Sequence, residues 1–350
     1  SFLQSDFIFD VATGTITDYI GSEAEVVIPE EIYGVKVTGI GDYTFYGCTS
    51  LTSVTIPDSV TTIGWMAFEG CTSLTNVTIP DSVTTIQSEA FFNCTSLTEI
   101  KVSESNKSYT SVDGVLFSKD KKTLISYPAG KKANSYTVPS SVTVIREYTF
   151  SNCTSLTNVT IPASVTRMGD FEATGTALAI YPAFFGCSSL NTVFYSGTEE
   201  NWQAIEMVAD DWEFLTPKVV FVSSNPADYQ FGETAGTVTK YTGSSANVMI
   251  PSEINGMKVT AIGDSAFQNC ASLSMLVLPD SITAIGNNAF SGCTSLTNVV
   301  IPLNVAKIGE NAFTGCDALS EIHYAGTEAE WKVIQMPENV RSFLASKVVF

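Results

Sequence analysis

A five-residue signature, Gly/Asn-Cys-x-x-Leu, recurs eight times in this chain and contains all eight of its cysteines. In two blocks the copies stand 23 residues apart: Cys48, Cys71 and Cys94 (71 − 48 and 94 − 71), then Cys270, Cys293 and Cys316. Cys153 and Cys187 carry the same signature at wider spacing. The full unit reads LxxVxIPxxVxxIGxxAFxxC, as in Leu51, Val54, Ile56, Pro57, Val60, Ile63, Gly64, Ala67, Phe68 and Cys71. A period of this length marks one supersecondary unit stacked on copies of itself. A single unit offers too few apolar side chains to offset the entropy of ordering its own backbone. Neighbouring coils must supply the missing wall.

Local chemistry suggests how one coil runs. Val54-Thr55-Ile56 alternates apolar and polar, which predicts a short strand with one buried face. Pro57 lacks an amide hydrogen and ends the ladder. Val60 and Ile63, then Ala67, Phe68 and Cys71, suit 3₁₀ or short helical turns with their apolar sides inward. The expected fold is a right-handed leucine-rich-repeat solenoid of mainly short parallel β-strands. It is expected as two tandem arrays with β-hairpin caps.

A longer symmetry divides the chain. FDVATGTITDYIGSEAEVVIP (9–29) matches FGETAGTVTKYTGSSANVMIP (231–251) at an offset of 222, which also relates Cys48 to Cys270 (270 − 48). YSGTEENW (195–202) parallels YAGTEAEW (324–331), and KVVF occurs at both 218–221 and 347–350. The expected organisation is a first array at 1–221, a polar linker at 222–228 and a shorter second array at 229–350. The first array carries insertions at 101–137 and 171–182. Within the former, SYTSVDGVLFSKDKKTLISYP (108–128) reads as a hairpin turning at Asp113-Gly114 and again at 119–122.

With these motifs the chain resembles the BspA-type (Treponema-type) bacterial leucine-rich repeat over nearly its whole length. The resemblance implies a curved solenoid on a secreted or surface-attached bacterial protein, extracellular or at the cell surface with any signal peptide already removed. It also implies an adhesin-like role toward a protein partner such as host extracellular matrix or another bacterial surface.

Composition narrows the partners. Thirty-six acidic against seventeen basic residues give a net charge of −19, which repels nucleic acid and anionic lipid. No apolar run reaches the length of about 18 residues needed to cross a bilayer, so no membrane insertion is expected. A single histidine, His323, precludes multi-histidine catalysis or metal binding within one chain. No phosphate-cradling loop, nucleophile elbow or calcium loop occurs. The chain therefore reads as non-enzymatic, with no cofactor and no metal.

Candidate binding residues occupy the outward strand position of each coil. They are Thr55, Thr78, Lys101, Thr137, Thr160 and Phe194, then Met275, Val277, Val300 and His323. If the strands stack, they form a stripe on the concave face, where solenoids place recognition surfaces. Val277, Val300 and Met275 are expected as exposed apolar neighbours that mark an interface. Cys48, Cys71, Cys94, Cys153, Cys187, Cys270, Cys293 and Cys316 share one repeat position and are expected to fill a core column as free thiols. The alternative function is a carbohydrate-binding module stacking Trp65, or Trp202 and Trp331, on sugar rings. The competing reading of Trp202 and Trp331 is a terminal cap over the last apolar coil. The pairs Glu199-Glu200 and Asp210-Asp211 are expected as solvated acids, and His323 as a solvated surface histidine.

Overall fold

The computed structural model describes residues 6–169, 181–232 and 236–350, with the backbone alone at 173–174 and 177–178, and is a β-solenoid of about 14 turns. Each regular coil has two short strands. Ser53–Thr55 leads through a turn closed by Val60 N–H to Pro57 O (3.1 Å) into Thr62–Ile63. A second turn, closed by Cys71 N–H to Phe68 O (3.1 Å), returns the chain to Asn76–Ile79 one rung on. Val54 pairs with Val77 and Val77 with Ile100, while Ile63 pairs with Ile86, all parallel. Two parallel sheets therefore line every coil. Gly64 follows the second strand because a Cβ there would lie 2.6 Å from the Asp42 amide nitrogen of the preceding coil.

The interior is a set of files running across the rungs. Phe45, Phe68 and Phe91 stack with ring centroids 5.0 and 5.6 Å apart, as do Phe267, Phe290 and Phe313 at 5.4 and 5.2 Å. No cysteine is bonded to another; six are buried, and Cys48 and Cys270 are half-buried. Five of the six buried S–H groups donate to the phenylalanine carbonyl of the coil before, and Cys153 instead faces Tyr127 O at 3.8 Å. Examples of the five are Cys71 to Phe45 O (3.1 Å), Cys94 to Phe68 O (3.1 Å) and Cys316 to Phe290 O (3.2 Å). Burial pushes the Cys94 thiol up to about 12.

Both arrays open on an antiparallel hairpin, Phe7–Asp10 with Thr15–Tyr19 and Tyr229–Gly232 with Thr237–Tyr241. Tyr19 and Tyr241 extend the phenylalanine files at 5.2 and 5.0 Å. Both arrays close on a pair of short helices, Glu199–Gln203 with Ala209–Leu215 and Glu328–Val333 with Glu338–Leu344. Thr327 with Glu330 forms a capping box at the start of the third of these helices. Thr198 with Asn201 forms one as well, because the shorter amide still reaches the Thr198 amide at 3.2 Å.

The first insertion is a three-stranded meander of Tyr109–Val112, Val115–Ser118 and Thr123–Ser126, turning at Asp113-Gly114 as expected. Its last strand rejoins the parallel ladder at Val144–Ile145. Fully buried Asn106 docks it: Nδ2 donates to Pro80 O (2.7 Å) and Val83 O (3.0 Å), and Oδ1 accepts from the amides of Ser108 and Tyr109. Of the second insertion, 171–182, the backbone pairs Ala173–Thr174 with Ala177–Leu178; 171–172, 175–176 and 179–180 lie outside the described residues.

The linker segment 222–228 carries structure of its own. Val222 is buried, Ser223 bridges Val248 in parallel, and Pro226–Asp228 forms a 3₁₀ turn. The ladder is thus passed from Val219–Phe221 of the first array towards Asn247–Met249 of the second.

Candidate functional site

The outward strand positions come into register as the repeat dictates, but they meet two different environments. Val27, Thr55, Thr78 and Lys101 lie side by side on four parallel strands and are all exposed. Ser53, Asn76 and Glu99 flank them, and Lys101 Nζ rests 3.1 Å from Glu99 Oε2. This face is hydroxyl-rich, weakly charged and open to solvent.

The remaining candidates are turned inward, which corrects the expectation of one continuous exposed stripe. Phe194, Val222, Met249, Val277 and Val300 form a separate apolar cluster, with Val220 and Met275 against it. Thr160 (4 % exposed), Phe194 (3 %), Val277 (3 %) and Val300 (6 %) are buried, and Thr137, Met275 and His323 are half-buried. The sheet of Ser135–Thr137, Asn158–Ile161 and Thr192–Tyr195 therefore faces the sheet of Met275–Val277, Asn298–Ile301 and Glu321–Tyr324. Asn134 Nδ2 donates to Tyr324 O at 3.0 Å across 190 residues, and the Thr137 amide donates to Asp280. The physical reason is ordinary: valine and phenylalanine on an outward strand position expose apolar area, and the two arrays remove it from water by facing each other. His323 borders this contact, with Nε2 3.2 Å from Glu321 Oε2. A 90 Å³ cavity remains at that edge, lined by Asn134, Ser135, Thr157, Asn158, Val300 and His323 among others.

The helical pairs act as end plates. Trp202 (1 % exposed) and Trp331 (6 %) are buried against Tyr195 and Tyr324 at centroid distances of 5.1 Å each, so neither is a sugar platform. The indole N–H of Trp202 donates to Thr216 Oγ1 (3.3 Å), and Trp212, which the sequence did not place, lies 6.4 Å from Trp202. Asp211 corrects the expectation of solvated acids. It is 1 % exposed and accepts from the amides of Ala183 (2.6 Å) and Phe184 (3.0 Å). In regular coils the equivalent phenylalanine amide donates to a carbonyl of the next coil, as Phe68 does to Ala90 O (2.8 Å). At Phe184 the next coil is replaced by a helix, and the carboxylate substitutes for the absent carbonyl. Burial raises Asp211 to about 6 against the pull of those two amides.

A feature missed at the sequence level sits at the turn before each cysteine. The residue five positions ahead of the cysteine has a left-handed backbone in each regular coil: Tyr43 (φ 59°), Met66 (52°), Glu89 (61°) and Tyr148 (52°), then Ser265 (58°), Asn288 (53°) and Asn311 (56°). Side chains near these positions make an aromatic band on the first array. Tyr43 meets Trp65 at 4.9 Å and Tyr46 at 5.6 Å; Phe92 meets Tyr148 at 4.9 Å and Phe185 at 5.9 Å. Trp65 is half-buried. The signal was present in sequence as aromatic residues at turn positions that are polar in the second array.

Among the described residues, no group of three or more histidine, cysteine, aspartate or glutamate side chains is arranged to hold a metal ion, and no helix is long and apolar enough to cross a membrane.

The family model for the BspA type leucine rich repeat region matches six copies, over residues 25–129, 127–205 and 241–340. Curated protein sequences give no match. Among solved structures, the pneumococcal vaccine antigen PcpA is 22 % identical, covering 95 % of this chain and 68 % of its own, with a TM-score of 0.44. A leucine rich cell surface protein from Faecalibacterium prausnitzii is 23 % identical, covering 95 % and 96 %, with a TM-score of 0.28. A leucine rich repeat protein from T. pallidum is 21 % identical, covering 100 % and 98 %, with a TM-score of 0.30.

Proposed function

The chain belongs to the BspA type leucine-rich-repeat family, and from that premise we propose that it is a non-enzymatic binding protein, secreted or displayed at the cell surface, that holds a protein partner. The partner we favour is a host extracellular matrix protein or a component of another bacterial surface. One observation carries the reading: Val27, Thr55, Thr78 and Lys101 form an in-register row that stays exposed, while the matching row further along is occupied by the chain itself. Hydroxyls on a rigid sheet present fixed donors and acceptors to an extended partner at little conformational cost.

Biolayer interferometry of the intact chain against purified matrix proteins and whole bacterial cells tests this. Binding should fall about tenfold or more in a Thr55→Glu, Thr78→Glu double variant, and should be unaltered in Val333→Ser, which changes an exposed residue remote from the row. Absence of binding by the wild type, or equal binding by the double variant, would overturn the proposal.

A further inference from the structure

The turns of the two arrays are built alike but decorated differently, and the chain thereby supplies its own control. In the second array the turns read GDSAFQNC (263–270), GNNAFSGC (286–293) and GENAFTGC (309–316), and the only aromatic in each is the core phenylalanine. In the first array they read GDYTFYGC (41–48), GWMAFEGC (64–71), QSEAFFNC (87–94) and REYTFSNC (146–153). The scaffold does not require the added rings, since the same turn closes without them 222 residues later. Trp65 N–H donates to Asp42 Oδ1 at 2.8 Å just as Asn287 N–H donates to Asp264 Oδ1 at 2.7 Å. The first array also places Tyr43, Met66, Glu89 and Tyr148 on left-handed backbone, where the second array has serine and asparagine. Asparagine tolerates that conformation and bulky side chains resist it. Unfavourable backbone retained on successive coils points to a function for the side chains it carries.

The chemistry of the band is aromatic and anionic. The four first-array turns contain Asp42, Glu69, Glu89 and Glu147 and a single cation, Arg146. Arg146 already shows what suits this surface. It lies between two coils, with Nη2 2.8 Å from Glu147 Oε1 and 3.0 Å from Ser88 Oγ. One rung away, the Trp65 indole donates to Glu89, whose carboxyl is pushed up to about 7 by burial and by the charges of Glu147 and Glu69. Glu89 is therefore held among rings and like charges.

We propose that the aromatic band of the first array, running from Tyr43 and Trp65 through Glu89 to Phe92 and Tyr148, is a docking surface for an extended arginine- or lysine-bearing segment of a partner protein. Guanidinium groups stack on tyrosine and tryptophan faces and pair with the interleaved carboxylates. At about 4.8 Å per rung, the four intervals between the turns of Tyr43, Trp65, Phe92, Tyr148 and Phe185 span roughly 19 Å, the length of about six extended residues. This surface lies on a different segment of each coil from the exposed strand row, and its partner contact is independent of that row.

The test uses the intact chain and a fluorescein-labelled peptide of alternating arginine and glycine, read by anisotropy. The variant Tyr43→Ser, Trp65→Asn, Glu89→Asn installs the residues found at the same turns of the second array, so melting should hold. The peptide should bind the wild type, weaken about tenfold or more in this variant, and bind Glu338→Gln, which removes a carboxylate elsewhere, as it binds the wild type. Failure of the wild type to bind the peptide, equal loss in Glu338→Gln, or unchanged affinity in the triple variant would overturn the proposal. So would recognition of neutral glycans on an array through Tyr43 and Trp65 in place of the peptide.

Discussion

Cys94 shows what a single side chain contributes to this fold. It fills a file of small apolar groups, and its S–H satisfies the carbonyl of Phe68. A thiol raised to about 12 is almost wholly protonated at neutral pH and a poor nucleophile. Cys48 and Cys270, first in their files, are half-buried. In native protein a thiol-reactive disulfide reagent should therefore label these two first and the other six only as the chain unfolds; equal rates for all eight would show that the file is not packed. Glu89→Asn should raise stability by about 1 kcal/mol, read by urea denaturation, because asparagine fits the left-handed site better. A loss of stability there would show that the Trp65 contact outweighs backbone strain. Glu89 and Asp211 also set a pH dependence. Both carboxyls sit above their ordinary values in the folded chain, about 7 and about 6, through burial. The folded state then binds more protons than the unfolded one between about pH 4 and 7, so stability falls as pH rises through that window and levels off above it. Denaturation at pH 5 should require more urea than at pH 7.5, with the difference reduced in Glu89→Asn.

At the scale of the element, irregular pieces are joined to the regular ladder by single polar side chains. Asn106 takes up two carbonyls and two amides where the meander interrupts the coils, and Asp211 takes up two amides where the coils end. Removing such a group leaves buried partners unsatisfied, so Asn106→Leu should cost about 2–3 kcal/mol and loosen 108–126 first. Hydrogen exchange that rises no faster there than elsewhere would contradict this assignment. The coil itself was legible from sequence, since alternation, the proline corner and the Ala-Phe-x-x-Cys turn each have a local physical cause. The roles of Asn106 and Asp211 were not, because an isolated asparagine or aspartate reads as loop or surface until its buried partners are known. The left-handed turn residue was hidden for a related reason: tyrosine, methionine and glutamate give no hint of positive φ.

For the molecule as a whole, sequence identified the outward row and flagged Val277 and Val300 as apolar where solvent was expected. It did not reveal that the surface covering them lies in the same chain, since a contact between residues as remote as Asn134 and Tyr324 leaves no periodic trace. Charging these valines therefore tests closure of the molecule, not ligand contact. Val277→Asp with Val300→Asp buries two carboxylates against Phe194 and Met249, which the cluster cannot solvate. Small-angle scattering should show a larger radius of gyration with circular dichroism preserved; an unchanged radius would mean that the facing sheets are held by their polar edges alone.

The second array opens on its own hairpin and closes on its own pair of helices, although the first array has already used one of each. Raw coil ends are thus sealed twice within one polypeptide. Between such stoppers, whole 23-residue cassettes can be gained or lost in a lineage without baring a sticky rim, and reach becomes a quantity that evolution can adjust in steps.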